Sequence, residues 1–305
     1  MNFKSYDYLS IRKKYLEFLK RKEVAGKPIV DKIGKFNTFY LPLSDWIYST
    51  YKIDNKTKII GLSGGQGAGK STITGILKFI LKKKYGLNSC CFSIDDFYKT
   101  KAQRRKMSKN THPLFFTRGV PGTHDIVLLN QIIKKLKKRN FKAMLVPKFD
   151  KSIDDRLKKN KWQKIKNSPD IIIFEGWCVG AKHQKNSALK KHVNLMEKNY
   201  DKNLQWRKTV NSHLKNQYKK LFNKIDKLIY LKAPNFDYIF KWRLHQEQKM
   251  KLTSKNKKTM SKSHVKKFIM FYERTTKQMM KDFSKISDLT VFLDKSHRSR
   301  KMKFF

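Results

Sequence analysis

An α/β fold built on a parallel sheet is predicted by three features of this 305-residue chain. Short apolar runs that read as buried strands alternate with longer segments of helical period. Several of those runs end in a glycine turn or a carboxylate, the pattern of a sheet that binds ligands at its strand C-termini. An apolar content of 39%, with 21 Phe, 13 Tyr and 5 Trp, is ample for a packed core.

In chain order, residues 1–55 read as an N-terminal helical extension packed on the core, and 56–305 as the main domain. Tyr6–Lys22 carries Tyr8, Leu9, Ile11, Tyr15, Leu16, Phe18 and Leu19 close to a helical period. A Gly-Lys-Pro break follows at 26–28, and Ser44 is placed to cap a short helix. A strand is expected at 58–62 and a helix at 72–84. The next strand, 87–94, runs into Asp95-Asp96. After a basic loop, Ile126, Leu128, Leu129, Ile132, Ile133 and Leu136 mark a helix over 126–138. A short strand is expected at 143–146, then a charged loop to Pro169. Ile171 to Phe174 form a strongly apolar strand closed by Glu175. Residues 182–224 are a polar helical insertion. Beyond it are expected a strand (226–231), a helix (236–248), a mobile basic stretch (249–262), a helix (264–282), a strand (289–293) and a basic tail.

Between the first strand and its helix lies Gly64-x-x-x-x-Gly69-Lys70-Ser71, the full phosphate-binding-loop pattern. Gly64, Gly65, Gly67 and Gly69 permit backbone angles that a Cβ would forbid, so successive N–H groups can turn toward a phosphate. The following helix points its positive end at the same anion. Lys70 adds a charge for the β/γ oxygens, and the Ser71 hydroxyl can join a Mg²⁺ shell. Gly64 to Thr72, with Gln66 and Ala68 inside the loop, is thus the expected nucleotide cradle of a P-loop NTPase, with ATP and Mg²⁺ as cofactors.

Asp95 and Asp96 end one strand and Glu175 ends another, so both sites converge on the cradle if the strands share a sheet. Phosphoryl transfer to an alcohol uses a carboxylate that accepts the hydroxyl proton and one that helps hold Mg²⁺. Asp also favours turns, so the Asp pair taken alone fits either use. Glu175 is the sharper signal, because a charge closing a buried strand is costly unless it is paired or metal-bound. Ser71, Asp95 and Glu175 are the candidate metal ligands.

Here the residues carry a resemblance. Ser93-Ile-Asp95-Asp96-Phe97-Tyr98 resembles the second-strand motif of the phosphoribulokinase, uridine kinase and pantothenate kinase group. Arg118 to Asp125, Pro147 to Ser152, Phe174 to Gly180 and Trp242 to Glu247 resemble its D-glycerate 3-kinase branch. The resemblance covers about residues 56–294, a whole domain. It implies a mononucleotide-kinase-like three-layer sandwich with a five-stranded parallel core in order 2-3-1-4-5 and a helical lid at about 235–262. It also implies Asp95 as general base, Glu175 as support for Mg²⁺ or the acceptor, and Arg243 as a lid cation on the transferring phosphoryl group. D-Glycerate needs a cation and several hydrogen-bond partners. Arg118 can grip a carboxylate bidentately, while Asp96, Tyr98, His124, Asp125 and Lys151 are further candidates, with Arg156 another cation. His124 could equally cap the helix at Ile126, and Phe271 to Arg274 read as helix packing, with Arg274 a candidate second phosphate contact. The motif departs at Phe149, where Tyr is expected. The acceptor is therefore D-glycerate or another alcohol such as a nucleoside, pantothenate or a different hydroxy acid.

The net charge of +49 admits a nucleic-acid binder, since a basic surface attracts polyanions. Lys far outnumbers Arg and is spread along the whole chain, however, with no block of Arg and aromatics, so no specific nucleic-acid partner is expected beyond weak polyanion binding. Residues 231–237 lack the Asn-Lys-x-Asp base-reading motif of a switch GTPase, and no helicase-type motif is present. Without an apolar run of 18 residues, no membrane span is expected. The absence of an apolar leader and three cysteines without metal-ligand spacing (Cys90, Cys91, Cys178) fit a cytoplasmic protein.

Overall fold

Every residue of β1 (Lys58–Gly64) is buried, which marks it as the centre of a sheet covered on both faces. The computed structural model describes residues 5–23, 32–138, 140–253 and 259–305. The expected break at 26–28 lies outside them, as does part of the basic stretch 249–262. The sheet continues with β2 (Ser89–Ser93), β3 (Ile171–Gly176), β4 (Lys227–Lys232), β5 (Leu289–Leu293) and β6 (Ser299–Phe304). Their order across the sheet is β2-β3-β1-β4-β5-β6, parallel except for β6. The expected five-stranded sheet is corrected to six. Its order differs from the expected one by the added edge strand, because the basic tail turns back at 294–298 and pairs antiparallel with β5.

Strand alternation sorts the core into two layers. Ile60, Leu62, Ile171, Ile173, Ile229 and Leu231 face one cluster, together with α1 (Ser5–Lys20), α2 (Leu41–Lys52) and α3 (Lys70–Tyr85). Ile59, Ile172, Phe174, Leu228 and Tyr230 face the other, with α4 (Ile126–Leu136) and one face of the helix Lys262–Ile286. Helix α1 lies against α3 so closely that a Cβ on Gly75 would come within 2.8 Å of the Phe18 ring. Helix α3 ends where Gly86 (φ +73°) takes the left-handed conformation and donates to the carbonyls of Leu81 and Lys82.

Two local expectations are corrected, and a third, the strand near 143–146, gains its partner. Ser44 does not cap a helix: a π-helical turn, Phe36–Tyr40, runs straight into α2, and the Ser44 hydroxyl donates inside it to Leu41 O (2.7 Å). The strand near 143–146 stays out of the main sheet and pairs locally as Met144–Val146 with Gln163–Ile165. The helix from Phe236 continues to Thr253, into the stretch expected to be mobile. Among the described residues no helix is long and apolar enough to cross a membrane.

Candidate active site

The loop from Gly64 to Gly69 joins β1 to α3, and its glycines answer to distinct demands. Gly67 (φ +78°) and Gly69 (φ +86°) occupy the left-handed region that a Cβ disfavours. A Cβ on Gly67 would also stand 2.8 Å from the Cβ of Trp242, and one on Gly65 would stand 2.7 Å from Ile239. The helix Phe236–Thr253 is thus seated directly on the loop. Its Trp242 indole donates to Lys295 O (3.0 Å) and packs against the His297 ring at 4.2 Å. These contacts of Ile239, Trp242 and His297 join residues far apart in sequence, and periodicity gave no sign of them.

Lys70 donates to the carbonyls of Gly64 (2.7 Å) and Gly65 (3.0 Å). Burial lowers its pKa, opposed by the charges of Glu175 and Asp95. The Ser71 hydroxyl donates to Glu175 Oε1 at 3.0 Å. Gln66, Ala68 and Thr72 complete the cradle, with Ala68 N–H donating to Gly65 O and Thr72 N–H to Gly69 O.

Parallel register brings the carboxylates to this loop. Glu175 on β3 stands opposite Leu62 of β1 and Ser93 of β2, and Asp95 follows two residues after Ser93. Burial raises the Glu175 pKa, with the Lys70 charge opposing it. For Asp95, burial pushes upward, but the Lys151 ammonium outweighs it and holds the carboxyl well below its ordinary range. Lys151 Nζ donates to Asp95 Oδ2 at 2.7 Å. The other oxygen, Oδ1, is buried with no hydrogen-bond partner among the described residues.

Lys151 sits in a small hairpin whose strands are Phe149–Asp150 and Asp155–Arg156. Its stem is tied down by Lys148 to Asp96 (2.8 Å) and by Arg156 to Tyr98 O (2.8 Å) and Asp125 (3.2 Å). These bonds give Asp96 and Asp125 partners within the protein itself. Asp96 accepts from Ser93 N–H in a capping box and from Lys148. Asp125 caps α4 through Leu128 N–H (3.1 Å) and pairs with Arg156. Asp125, not His124, is the cap.

His124 is buried instead, stacked on Tyr98 with ring centroids 4.4 Å apart, and its Nδ1 meets the Tyr218 hydroxyl at 2.6 Å. Burial lowers its pKa to about 3. Tyr98 is buried too, and burial together with the Asp95 charge raises its pKa. Arg118 pairs with Asp154 and lies over the Phe149 ring, 5.6 Å from its centroid. Phe149 is thus covered by a guanidinium where a hydroxyl was expected. Arg243 pairs with Glu247 and donates to Gln246 (2.9 Å). Burial lowers its pKa, and the charges of Arg118 and Asp95 act on it across the site. Arg274 is buried in the helix packing, as expected: it binds Glu197 (2.6 and 2.7 Å) and the carbonyls of Ala188 and Lys191, inside a buried network of the insertion. Lys70, Asp95, Glu175, Lys151, Arg118 and Arg243 therefore share one electrostatic neighbourhood.

A phosphate cradle beneath a helical cover, flanked by carboxylates at two adjacent strand ends, defines a P-loop kinase. The chain belongs to the phosphoribulokinase/uridine kinase family, whose model matches residues 59–241. Its relatives include the uncharacterized kinase mug58 of Schizosaccharomyces pombe, 34% identical over 252 residues that span 80% of this chain and 85% of that one. The chloroplastic D-glycerate 3-kinase of Arabidopsis thaliana is 29% identical over 254 residues, 77% of this chain and 52% of that one. Among solved structures, D-glycerate 3-kinase from Cryptococcus neoformans aligns with a TM-score of 0.74 at 25% identity, covering 88% of this chain and 99% of that one.

Proposed function

We propose that the protein transfers the γ-phosphoryl group of ATP to a hydroxyl of a small hydroxy acid, D-glycerate, to give 3-phosphoglycerate. The observation that carries the reading is the placement of Asp95, held by the Lys151 ammonium, beside the Lys70 cradle and Glu175. Asp95 accepts the proton of the attacking hydroxyl while its oxygen bonds to the γ-phosphorus and the bond to the bridging oxygen of ADP breaks. Lys70 and the loop N–H groups hold the β/γ oxygens. Arg243, on the helix that covers the loop, neutralises charge on the transferring group. Arg118 and Lys151 supply cations for the acceptor's carboxylate.

The donor set Ser71, Asp95 and Glu175 is all oxygen, with the Ser71 hydroxyl and Glu175 carboxylate 3.0 Å apart. That chemistry fits Mg²⁺, which binds proteins through one or two carboxylates plus substrate phosphates and would supply charge neutralisation on them. The catalytic unit is assigned to 56–305 with its lid at about 235–262. Cys90, Cys91 and Cys178 are free thiols, and burial raises the pKa of Cys90 and Cys91 to about 12. Such inert thiols support a reducing, cytoplasmic setting.

A coupled ADP-release screen over D-glycerate, L-glycerate, pantothenate, uridine and ribulose 5-phosphate tests this. D-Glycerate is expected to give the highest kcat/KM, with 3-phosphoglycerate as product. RNA-stimulated ATP hydrolysis with no phosphorylated small molecule would overturn it.

A further inference from the structure

The hairpin that carries Lys151 is tied down at its base and, through Asp154, to Arg104 and Arg118 at its tip. Lys148, Asp155 and Arg156 anchor the stem: Lys148 to Asp96 (2.8 Å), Asp155 accepting from Lys101 N–H (3.0 Å), and Arg156 to Tyr98 O (2.8 Å). The backbone adds Leu157 N–H to Lys148 O (2.8 Å). The Lys151 side chain, by contrast, is 60% exposed, and its one hydrogen bond among the described residues is to Asp95 Oδ2. It can therefore move without disturbing the fold.

Asp95 has two oxygens with different fates. Oδ1 is buried while the Asp95 side chain as a whole is 24% exposed, so the oxygen open to an arriving hydroxyl is Oδ2, the atom that Lys151 holds. A neutral alcohol offers Lys151 nothing in return for that oxygen. An alcohol that carries its own carboxylate offers an equivalent partner, and a charge-assisted bond of the same kind replaces the one given up.

We propose that Lys151 selects the acceptor by exchanging its ammonium from Asp95 Oδ2 to a carboxylate on the acceptor, so that acidic alcohols release Asp95 and neutral ones do not. This rests on the reading of Asp95 as the residue that faces the acceptor hydroxyl. It goes further by tying recognition of the carboxylate to release of the carboxyl group that the hydroxyl needs. Lys151 is then a specificity-determining residue, and the substrate class is that of small hydroxy acids. Arg118, already paired with Asp154, has a supporting part in it.

Matched pairs of acceptors that differ in one carboxylate provide the test: D-glycerate against glycerol, and pantothenate against pantothenol, with wild type, Lys151→Met and Lys151→Arg. Wild type is expected to favour the acidic member in kcat/KM by about 10- to 100-fold, the range set by one charge-assisted hydrogen bond. Lys151→Met should bring that ratio close to one, through loss on the acid and gain on the neutral alcohol, whose hydroxyl no longer competes with an ammonium for Asp95 Oδ2, and Lys151→Arg should keep most of it. An undiminished ratio in Lys151→Met would overturn the proposal while leaving the glycerate reading intact, and so would an equal loss on both members. A collapsed ratio on pantothenate, with no turnover of glycerate, would support the proposal and remove glycerate as the acceptor. Phosphorylation of neutral alcohols alone would overturn both.

Discussion

The Ser71 hydroxyl donates to Glu175 Oε1 across 3.0 Å, linking the first turn of α3 to the end of β3. Sequence separates these residues by most of the first half of the domain, and parallel pairing of β1 with β3 brings them together. Glu175 is held there against its own solvation, since burial raises its pKa. A carboxyl that binds its proton more tightly folded than unfolded lowers stability as pH rises through that window, so at neutral pH its charge is a net cost. Glu175→Gln is therefore expected to raise Tm at pH 7, with the gain shrinking toward pH 4, while turnover falls. Thermal scans across pH and steady-state kinetics check the two halves; a lower Tm at pH 7 would contradict the first.

Asp95→Asn should cut kcat by about 10²–10⁴ while nucleotide binding stays near normal. Titration with a fluorescent ATP analogue, paired with turnover on D-glycerate, separates the two. Unchanged turnover would remove Asp95 as the base.

Gly67→Ala places a Cβ at φ +78°, 2.8 Å from Trp242. Left-handed geometry alone costs a residue with a Cβ about 1–2 kcal/mol. The strain falls where the cover helix meets the loop, so KM for ATP should rise roughly tenfold with little change in the acceptor KM. Equal effects on both constants would argue against a contact local to the nucleotide.

His124 is buried and neutral, with its pKa lowered to about 3. Its unfolded value is near 6.5, so the unfolded chain takes up the proton first and stability is lost as pH falls from about 6.5 toward 3. The slope approaches ~1.4 kcal/mol per pH unit for one proton. His124→Phe keeps a ring against Tyr98 and removes the titration, so its Tm should fall less steeply than wild type between pH 6 and 4. Parallel curves would assign the acid limb to other groups.

Local chemistry was the legible part of the sequence. The phosphate loop is a contiguous pattern, and the central strands are near-continuous apolar runs, so spacing alone located both. Glu175 stood out because a charge closes four apolar residues. What escaped notice depends on distant partners. β6 reads Ser-Arg-Lys-Met-Lys-Phe, with most side chains exposed, and only its pairing with β5 makes it a strand. The partners of Asp96 and Asp125 are hidden in this way, since sequence shows a carboxylate and not the N–H groups and cations around it. The partner of Arg274 is hidden for the same reason, since Glu197 lies in an insertion of irregular composition.

The central position of β1 also sets the timing of folding on the ribosome. Ile60 pairs with Ile173 on one side and with Lys227 on the other, and Trp242 must arrive before Gly67 is covered. The earliest core strand to be synthesised is thus flanked on both edges only when Lys227–Lys232 has been made, and its apolar surface waits through much of translation. Such long-range pairing slows folding and leaves a nascent chain open to association, a hazard that the many lysines around it reduce by mutual repulsion.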